Sequence, residues 1–334
     1  MASMRFPGRL PVRVAAAALA AAIFAAALFT ATAAAQEYPS RPVRMLVGFV
    51  AGSGTDTAAR LLAQKLDEQL KQPVIVENRL GAGGNLASEI VAKSPPDGYT
   101  LLMASASIAS QPAMRIKLPF DVPRSFSAIS MVATGPFVLV VHPSVPAKTA
   151  RELVAIARSK PGILNYASSG VGSSAHLQGE LFNALSNTRT GHVPYKGSPQ
   201  AVIAVVNGEV DFSFPSITGA QPLLDAGRLR ALGVSTARRT VLMPDMPTLH
   251  ESGVPGFDRT GWYAVLGPAG MSRGVLARLD AATAKAVGAP ETKTAFLRQG
   301  LEVETTTPEQ LVEFIQREVE QNIELARNAG IQKQ

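Results

Sequence analysis

Val43-Arg-Met-Leu-Val-Gly-Phe49 leads into Val50-Ala-Gly-Ser-Gly-Thr-Asp56, which leads into Thr57-Ala-Ala-Arg-Leu-Leu-Ala-Gln-Lys-Leu66. An apolar run meets a Gly/Ser turn, and the segment after it repeats Ala59, Leu62, Ala63, Leu66 and Leu70 on one helical face. That spacing predicts strand, tight loop and amphipathic helix. Gly52 and Gly54 let a ligand approach the main chain, and Thr55 or Asp56 is expected to cap the helix. The helix N–H groups left over, with the helix dipole behind them, favour an anion. A P-loop needs a Lys where Thr55-Asp56 stand, and a dinucleotide fingerprint needs a third Gly where Thr57 stands. Asp56 also sets negative charge where a polyphosphate would lie, so a carboxylate fits better. Two readings stand at this point: an anion site, or a βα turn with no ligand.

The first 35 residues read as an export leader. Arg5, Arg9 and Arg13 form a basic start, Val14 to Phe29 is apolar and Ala-rich, and Ala33-Ala34-Ala35 is a small-residue cleavage site, so the mature chain is expected to begin near Gln36. The alternative is an uncleaved anchor, for which the run is short. The sequence has no Cys, which excludes disulfides and a lipid-modified cysteine. A periplasmic protein is expected.

The net charge of +7 includes the three leader arginines and no leader acid, which leaves 7 − 3 = +4 for the rest. Those basic residues are scattered, with Arg238-Arg239 the one adjacent pair after the leader, so no nucleic-acid partner is expected.

Further along, Pro73–Glu77 reads as a second strand, 78–85 as another Gly-rich turn, Leu86–Lys93 as a helix and Thr100–Ala104 as a third strand. Strands alternating with helices argue a parallel α/β sheet covered on both faces. Ligands on such sheets sit at the carboxyl ends of the strands, where these turns lie. The second half repeats the device: strand Asn165–Ser168, loop Ser169-Gly-Val-Gly-Ser-Ser174, then a helix from Ala175 to Ser186. Strands are also expected at His192–Tyr195, Val210–Phe214, Leu229–Ser235 and Trp262–Gly267, and a final helix at Pro308–Asn328 with Leu311, Ile315, Val319 and Ile323 on one face. Two similar lobes suggest a ligand held between them.

The catalytic inventory is thin. His142, His176, His192 and His250 include no pair at metal-helix spacing, and Gly170-Val-Gly-Ser-Ser174 is not a nucleophile elbow. His176 reads as a first-turn contact or a packed residue, and Asp211 as a strand-end hydrogen-bonding residue. Tyr195-Lys196 reads either as a rim pair or as a solvated turn, and Trp262 as core. The rival function is an exported α/β hydrolase or esterase.

The chain also resembles the extracytoplasmic solute receptors of the tripartite tricarboxylate transporter, the Bug (TctC-like) family. The likeness runs through Tyr38-Pro-Ser-Arg-Pro42, Val76-Glu-Asn-Arg79, Gly81-Ala-Gly-Gly84, Pro96-Asp-Gly-Tyr-Thr-Leu-Leu102, Leu118-Pro-Phe-Asp121, His192-Val-Pro-Tyr-Lys-Gly197, Gly208-Glu-Val-Asp211, Pro244-Asp-Met-Pro-Thr248 and Gly267-Pro-Ala-Gly270. The resemblance implies a two-lobed α/β periplasmic binding protein of the type II, Venus flytrap kind, with two crossover strands near 139 and 262. Lobe 1 would be 36–139 plus 262–334, and lobe 2 would be 140–261. It implies no enzyme activity, no cofactor and no metal. The expected partners are a small carboxylate (di- or tricarboxylate, amino acid or aromatic acid) and the membrane permease subunits, with the receptor a monomer. The implied contacts are Phe49 with Gly52, Ser53, Gly54, Thr55 and Asp56; Gly84 and Asn85; Ser105; Ser169, Gly170, Gly172, Ser173 and Ser174 with His176; and the strand end Phe214, Pro215 and Ser216. Where the family usually places Gly, this chain has Ser53, which is expected to add a hydroxyl to the floor of the site.

Overall fold

The computed structural model describes residues 38–114 and 117–333, so the expected leader lies outside the described residues. The chain divides after Ser40, and every described helix and strand lies beyond that point. The opening unit is β1 (Val43–Val47), α1 (Gly54–Leu70) and β2 (Val74–Asn78), followed by α2 (Asn85–Ala92), β3 (Thr100–Ser105) and α3 (Ser107–Met114). Strand β4 (Phe126–Pro136) ends one residue before β5 (Val138–Val141) begins. Next come α4 (Ala150–Ser159), β6 (Asn165–Ser168), α5 (Ser174–Ser186), β7 (Gly191–Pro194), α6 (Ser198–Val206), β8 (Phe212–Ser213), α7 (Ile217–Asp225) and β9 (Arg230–Val234). The chain finishes with β10 (Thr260–Pro268), α8 (Arg273–Gly288), α9 (Pro290–Arg298), β11 (Glu302–Val303) and α10 (Pro308–Asn328).

These strands make two sheets, ordered β11-β4-β10-β3-β1-β2 and β7-β6-β8-β5-β9, and each is the centre of an α/β lobe. The expected all-parallel arrangement is corrected to a mixed one. In the first sheet β2, β1 and β3 run parallel, while β10 is antiparallel to both β3 and β4. In the second, β6 is parallel to β7 and β8, while β5 is antiparallel to β8 and β9. The reversed strands follow from the route of the chain. Strands β5 and β10 each enter their sheet from the other one, so they start at the end where their neighbours finish.

Burial explains the apolar runs. Met45, Leu46 and Val47 are successive and all fully buried, as strands covered on both faces require. On one side of the first sheet Leu46, Leu102, Val91 and Ile108 share a core with Leu311, Ile315 and Val319 of α10. Helix α10 opens with a capping box, Thr307 Oγ1 accepting the Gln310 N–H while Gln310 Oε1 accepts the Thr307 N–H. Ile323, expected on its buried face, is 38% exposed, and Asn322 and Ala326 are buried in its place. Leu325 on the same helix packs against the second sheet's core of Leu139, Tyr166, Phe182, Phe212 and Phe214. The opposite face of that sheet packs Val138, Val140 and Ala167 against α6 and α7.

Two further expectations change. The cap of α1 is Ser53, whose Oγ accepts the Asp56 N–H, and neither Thr55 nor Asp56 serves. Asp211, by contrast, does bond its backbone neighbour, accepting the Asn165 N–H at 2.7 Å.

Candidate functional site

The carboxyl ends of the strands carry two loops of matching build. In the first, Gly52 has φ +79, Ser53 caps α1, and the Asp56 carboxylate reaches back to accept the Gly52 N–H at 3.0 Å. In the second, Gly172 has φ +81, Ser173 caps α5 by accepting the His176 N–H, and His176 Nδ1 accepts the Gly172 N–H at 3.1 Å. Both glycines occupy the left-handed region that other residues avoid. The side chain three residues past the cap pins each turn.

Asp56 is 3% exposed and saturated. Besides the Gly52 N–H it accepts Arg60 Nε at 2.9 Å and Asn78 Nδ2 at 2.8 Å, and that same Asn78 group also donates to the Phe49 carbonyl. Burial alone would raise its pKa, but the bonds from Arg60, Asn78 and Gly52 outweigh burial and hold the carboxyl below its ordinary range. His176 is 1% exposed and stacks face to face on His192, with ring centroids 3.8 Å apart. Tyr166 packs beside both imidazoles, its ring centroid 5.0 Å from His192 and 6.5 Å from His176. His192 Nε2 lies 2.6 Å from Ser168 Oγ, which accepts the Gly170 N–H. Burial pushes the His192 pKa down to about 4.

Between the loops is an inner pocket of about 50 Å³. Of the expected residues, Phe49, Ser53, Gly54, Thr55, Ser105, Ser169, Ser174, Phe214 and Ser216 line it. Gly84 and Gly170 line instead an outer chamber of about 630 Å³, together with Tyr195 and Lys196. Asn85 lies in a crevice beside it, where its Nδ2 donates to Gln111 Oε1. Gly52, Asp56, Gly172, Ser173, His176 and Pro215 line neither space. The first five shape the loops, and the Pro215 carbonyl accepts the Val138 N–H where β5 begins.

Ser107, from the turn that closes the third strand, also lines the inner pocket, as do Ala175, Ser198, Phe137, Gly261 and Tyr263, which no local motif marks. Phe137 and Gly261 lie where the chain passes between sheets, and Trp262, expected as core, is both buried in the first-lobe core and part of the wall. Tyr263 packs so close to α1 that a Cβ on Gly54 would lie 2.3 Å from its hydroxyl. Burial pushes the Tyr263 pKa up to about 12, against the opposing pull of its bond with Ser216, so the phenol stays neutral. One signal for the loops was available: Gly-Ser-x-x-Asp at 52–56 and Gly-Ser-x-x-His at 172–176 are the same spacing.

The lining is neutral. Ser53, Ser105, Ser107, Ser169, Ser174, Ser198 and Ser216 supply hydroxyls, and among the described residues no Lys, Arg, Asp or Glu lines it. Five helices begin at its wall: α1 at Gly54, α3 at Ser107, α5 at Ser174, α6 at Ser198 and α7 just after Ser216. The first N–H groups of a helix have no acceptor within it. One such group, Ser174 N–H, is taken by Ser107 Oγ at 3.2 Å, a bond between the two lobes. Ser110 Oγ donates to the Gly172 carbonyl and Gln111 Nε2 to the Gly83 carbonyl, so α3 grips both its own lobe's glycine turn and the opposite loop.

This is no hydrolytic site. Ser173 Oγ is occupied as a helix cap, and His176 Nδ1 is occupied by Gly172. Ser168, the serine in contact with His192 Nε2, is fully buried in β6 and lines neither space.

The comparisons agree with that geometry. Residues 58–331 match the model of the tripartite tricarboxylate transporter family receptor, TctC. Among solved structures, the chain is similar to R. palustris Rpa4515 with adipate, at 31% identity over 89% of this chain and 100% of that one, with a TM-score of 0.86. It is similar to the periplasmic binding protein BugD at 30% identity, over 89% of this chain and 100% of that one, with a TM-score of 0.85. It is also similar to MatC from Rhodopseudomonas palustris with bound malate, at 31% identity over 86% of this chain and 100% of that one, with a TM-score of 0.83. With the family model spanning most of both lobes, the chain belongs to the TctC family of tripartite tricarboxylate transporter receptors, a family of solute-binding receptors and not of enzymes.

Proposed function

We propose that this chain captures a small carboxylate between its lobes in the periplasm, after removal of residues 1–35, and delivers it to the membrane permease subunits of a tripartite transporter. Lobe 1 would comprise 36–139 and 262–334, and lobe 2 would comprise 140–261, with the passages at Phe137 and between β9 and β10 as hinges. The observation that carries the reading is the inner pocket itself: seven serines and five helix N-termini, with no charged side chain. Such a wall compensates a carboxylate by N–H and O–H donors and by helix dipoles. Two structural relatives hold the dicarboxylates adipate and malate. The loops at 52–56 and 169–174 would approach the acid from opposite lobes, so that binding favours closure.

Calorimetry with a bound acid against its methyl ester or amide tests this, at a pH where the acid is ionised. A partly buried helix terminus contributes up to ~2 kcal/mol, and a hydrogen bond to a charged group roughly 1.5–3 kcal/mol. Loss of the charge should therefore weaken binding by about 30- to 1,000-fold. Scattering should show a more compact protein with the acid and not with the ester. Equal affinity for both would remove the carboxylate from the reading.

A further inference from the structure

The inner pocket is narrow beside the outer chamber, about 50 Å³ against about 630 Å³. Phe49 and Ser169 line both the inner pocket and the outer chamber, so the two spaces share a wall and a longer solute has a path past Phe49. The outer chamber, about 630 Å³, is large enough for it.

The outer chamber differs in kind. Its first-lobe side is Leu80 to Gly84, its second-lobe side Val171 and the turn at Tyr195-Lys196. Among the described residues, Lys196 is the one charged residue lining either space. It is exposed, and its ammonium makes no salt bridge or side-chain hydrogen bond with any described residue. The turn that carries it is well placed. Tyr195 N–H donates to the Ser168 carbonyl at 3.0 Å, and Gly197 abuts the first lobe so closely that an added Cβ would lie 2.9 Å from Val50 Cγ2. An unpaired cation is thus held at the mouth of a neutral pocket, on the lobe opposite the Leu80–Gly84 wall.

We infer that Lys196 binds a second anionic group at the far end of an elongated solute, so that the receptor selects extended dianions such as α,ω-dicarboxylates over monoacids of the same length. The inference rests on the carboxylate reading of the inner pocket and adds a distal subsite to it. The neutral inner pocket takes one carboxylate, the chain passes Phe49 along the apolar wall, and the second carboxylate meets the ammonium. A solute of that length touches both lobes twice.

The test is calorimetry at pH 7.5 with the saturated dicarboxylates of four to eight carbons and the monocarboxylates of matching length, on wild type, Lys196→Gln and Lys196→Arg. In the wild type the best dicarboxylate should bind about five- to thirtyfold more tightly than its monoacid partner. In Lys196→Gln that ratio should collapse towards one, and in Lys196→Arg it should return. Lys196 is exposed, so the variants should melt with the wild type. A ratio unchanged by Lys196→Gln, or already near one in the wild type, overturns the distal subsite and leaves the carboxylate reading standing. Failure of every acid in the series to bind wild type overturns both.

Discussion

Gly52-Ser53-Gly54-Thr55-Asp56 and Gly172-Ser173-Ser174-Ala175-His176 share their turn geometry, their serine cap and their backward-reaching anchor, yet the anchors are chemically opposite. Asp56 is a carboxylate fastened by three donor groups, and its ionisation is secured below the ordinary carboxylate range. His176 accepts through a ring nitrogen that must be unprotonated, and it lies against a second imidazole. The surroundings differ as well. Gly52 has open space where a side chain would go, whereas a Cβ on Gly172 would lie 2.4 Å from Gln111 Oε1 in the other lobe. At Gly52 the first turn is therefore clear of the other lobe, whereas at Gly172 the second turn is fitted against it.

The largest effect expected from breaking this plan is at Asp56. Asp56→Ala removes the acceptor for Gly52, Arg60 and Asn78 together, and should cost about 2–4 kcal/mol in urea unfolding and abolish solute binding. A loss below about 1 kcal/mol would show the anchor to be dispensable.

Next in size, Gly52→Ala and Gly172→Ala form a matched pair. Both place a Cβ in left-handed backbone, so each should lose about 1–2 kcal/mol of stability. Only the second touches the opposite lobe, so only Gly172→Ala should also raise the solute Kd. Equal Kd values for the two variants would separate the Gly172 contact from closure.

Acid should then distinguish the lobes. The His192 pKa is depressed to about 4, below the ordinary ~6.5, so the unfolded chain takes up the proton first as pH falls. That stability is whole above about pH 6.5 and is lost between there and pH 4, on the order of 1 kcal/mol once screening of a part-exposed ring is allowed for. Asp56 keeps its charge through that window. Melting curves from pH 7 to 4.5 should show the decline in wild type and a flatter profile in His192→Gln. Parallel profiles would place the acid sensitivity elsewhere.

The smallest expected effect is Ser107→Ala, which deletes the hydroxyl bonded to Ser174 across the cleft. About 0.5–1.5 kcal/mol of closure energy should go, read as a few-fold rise in Kd and a larger radius of gyration without solute. An unchanged radius would mean that the bond does not bias the lobes.

The strand–loop–helix units were legible because their apolar stripes are amphipathic and their loops are rich in Gly and Ser. Helix α3 was not. It carries Pro112, and nearly every residue from Ser107 to Met114 is buried, so it shows no one-sided stripe for periodicity to find. Helix α7 carries Pro222 and was hidden for a related reason. The antiparallel placement of β10 and β5 was illegible because it depends on which sheet a strand enters, not on its own residues. The site shows the same limit. Its two loops are local motifs and could be read. Tyr263 and Ser198 reach the pocket through the topology, and nothing in their neighbours announces it.

The position of β10 also governs when each lobe can form. The second sheet draws all five strands from one continuous stretch, Val138 to Val234, whereas β10, from Thr260 to Pro268, sits in the interior of the first sheet between β3 and β4. Helix α10 then closes a core begun near Leu46. The earliest-synthesised lobe is thus the last able to complete itself, since its sheet waits for partners more than 150 residues downstream. A nascent chain of this design stays open at its leading end until nearly all of it has been made.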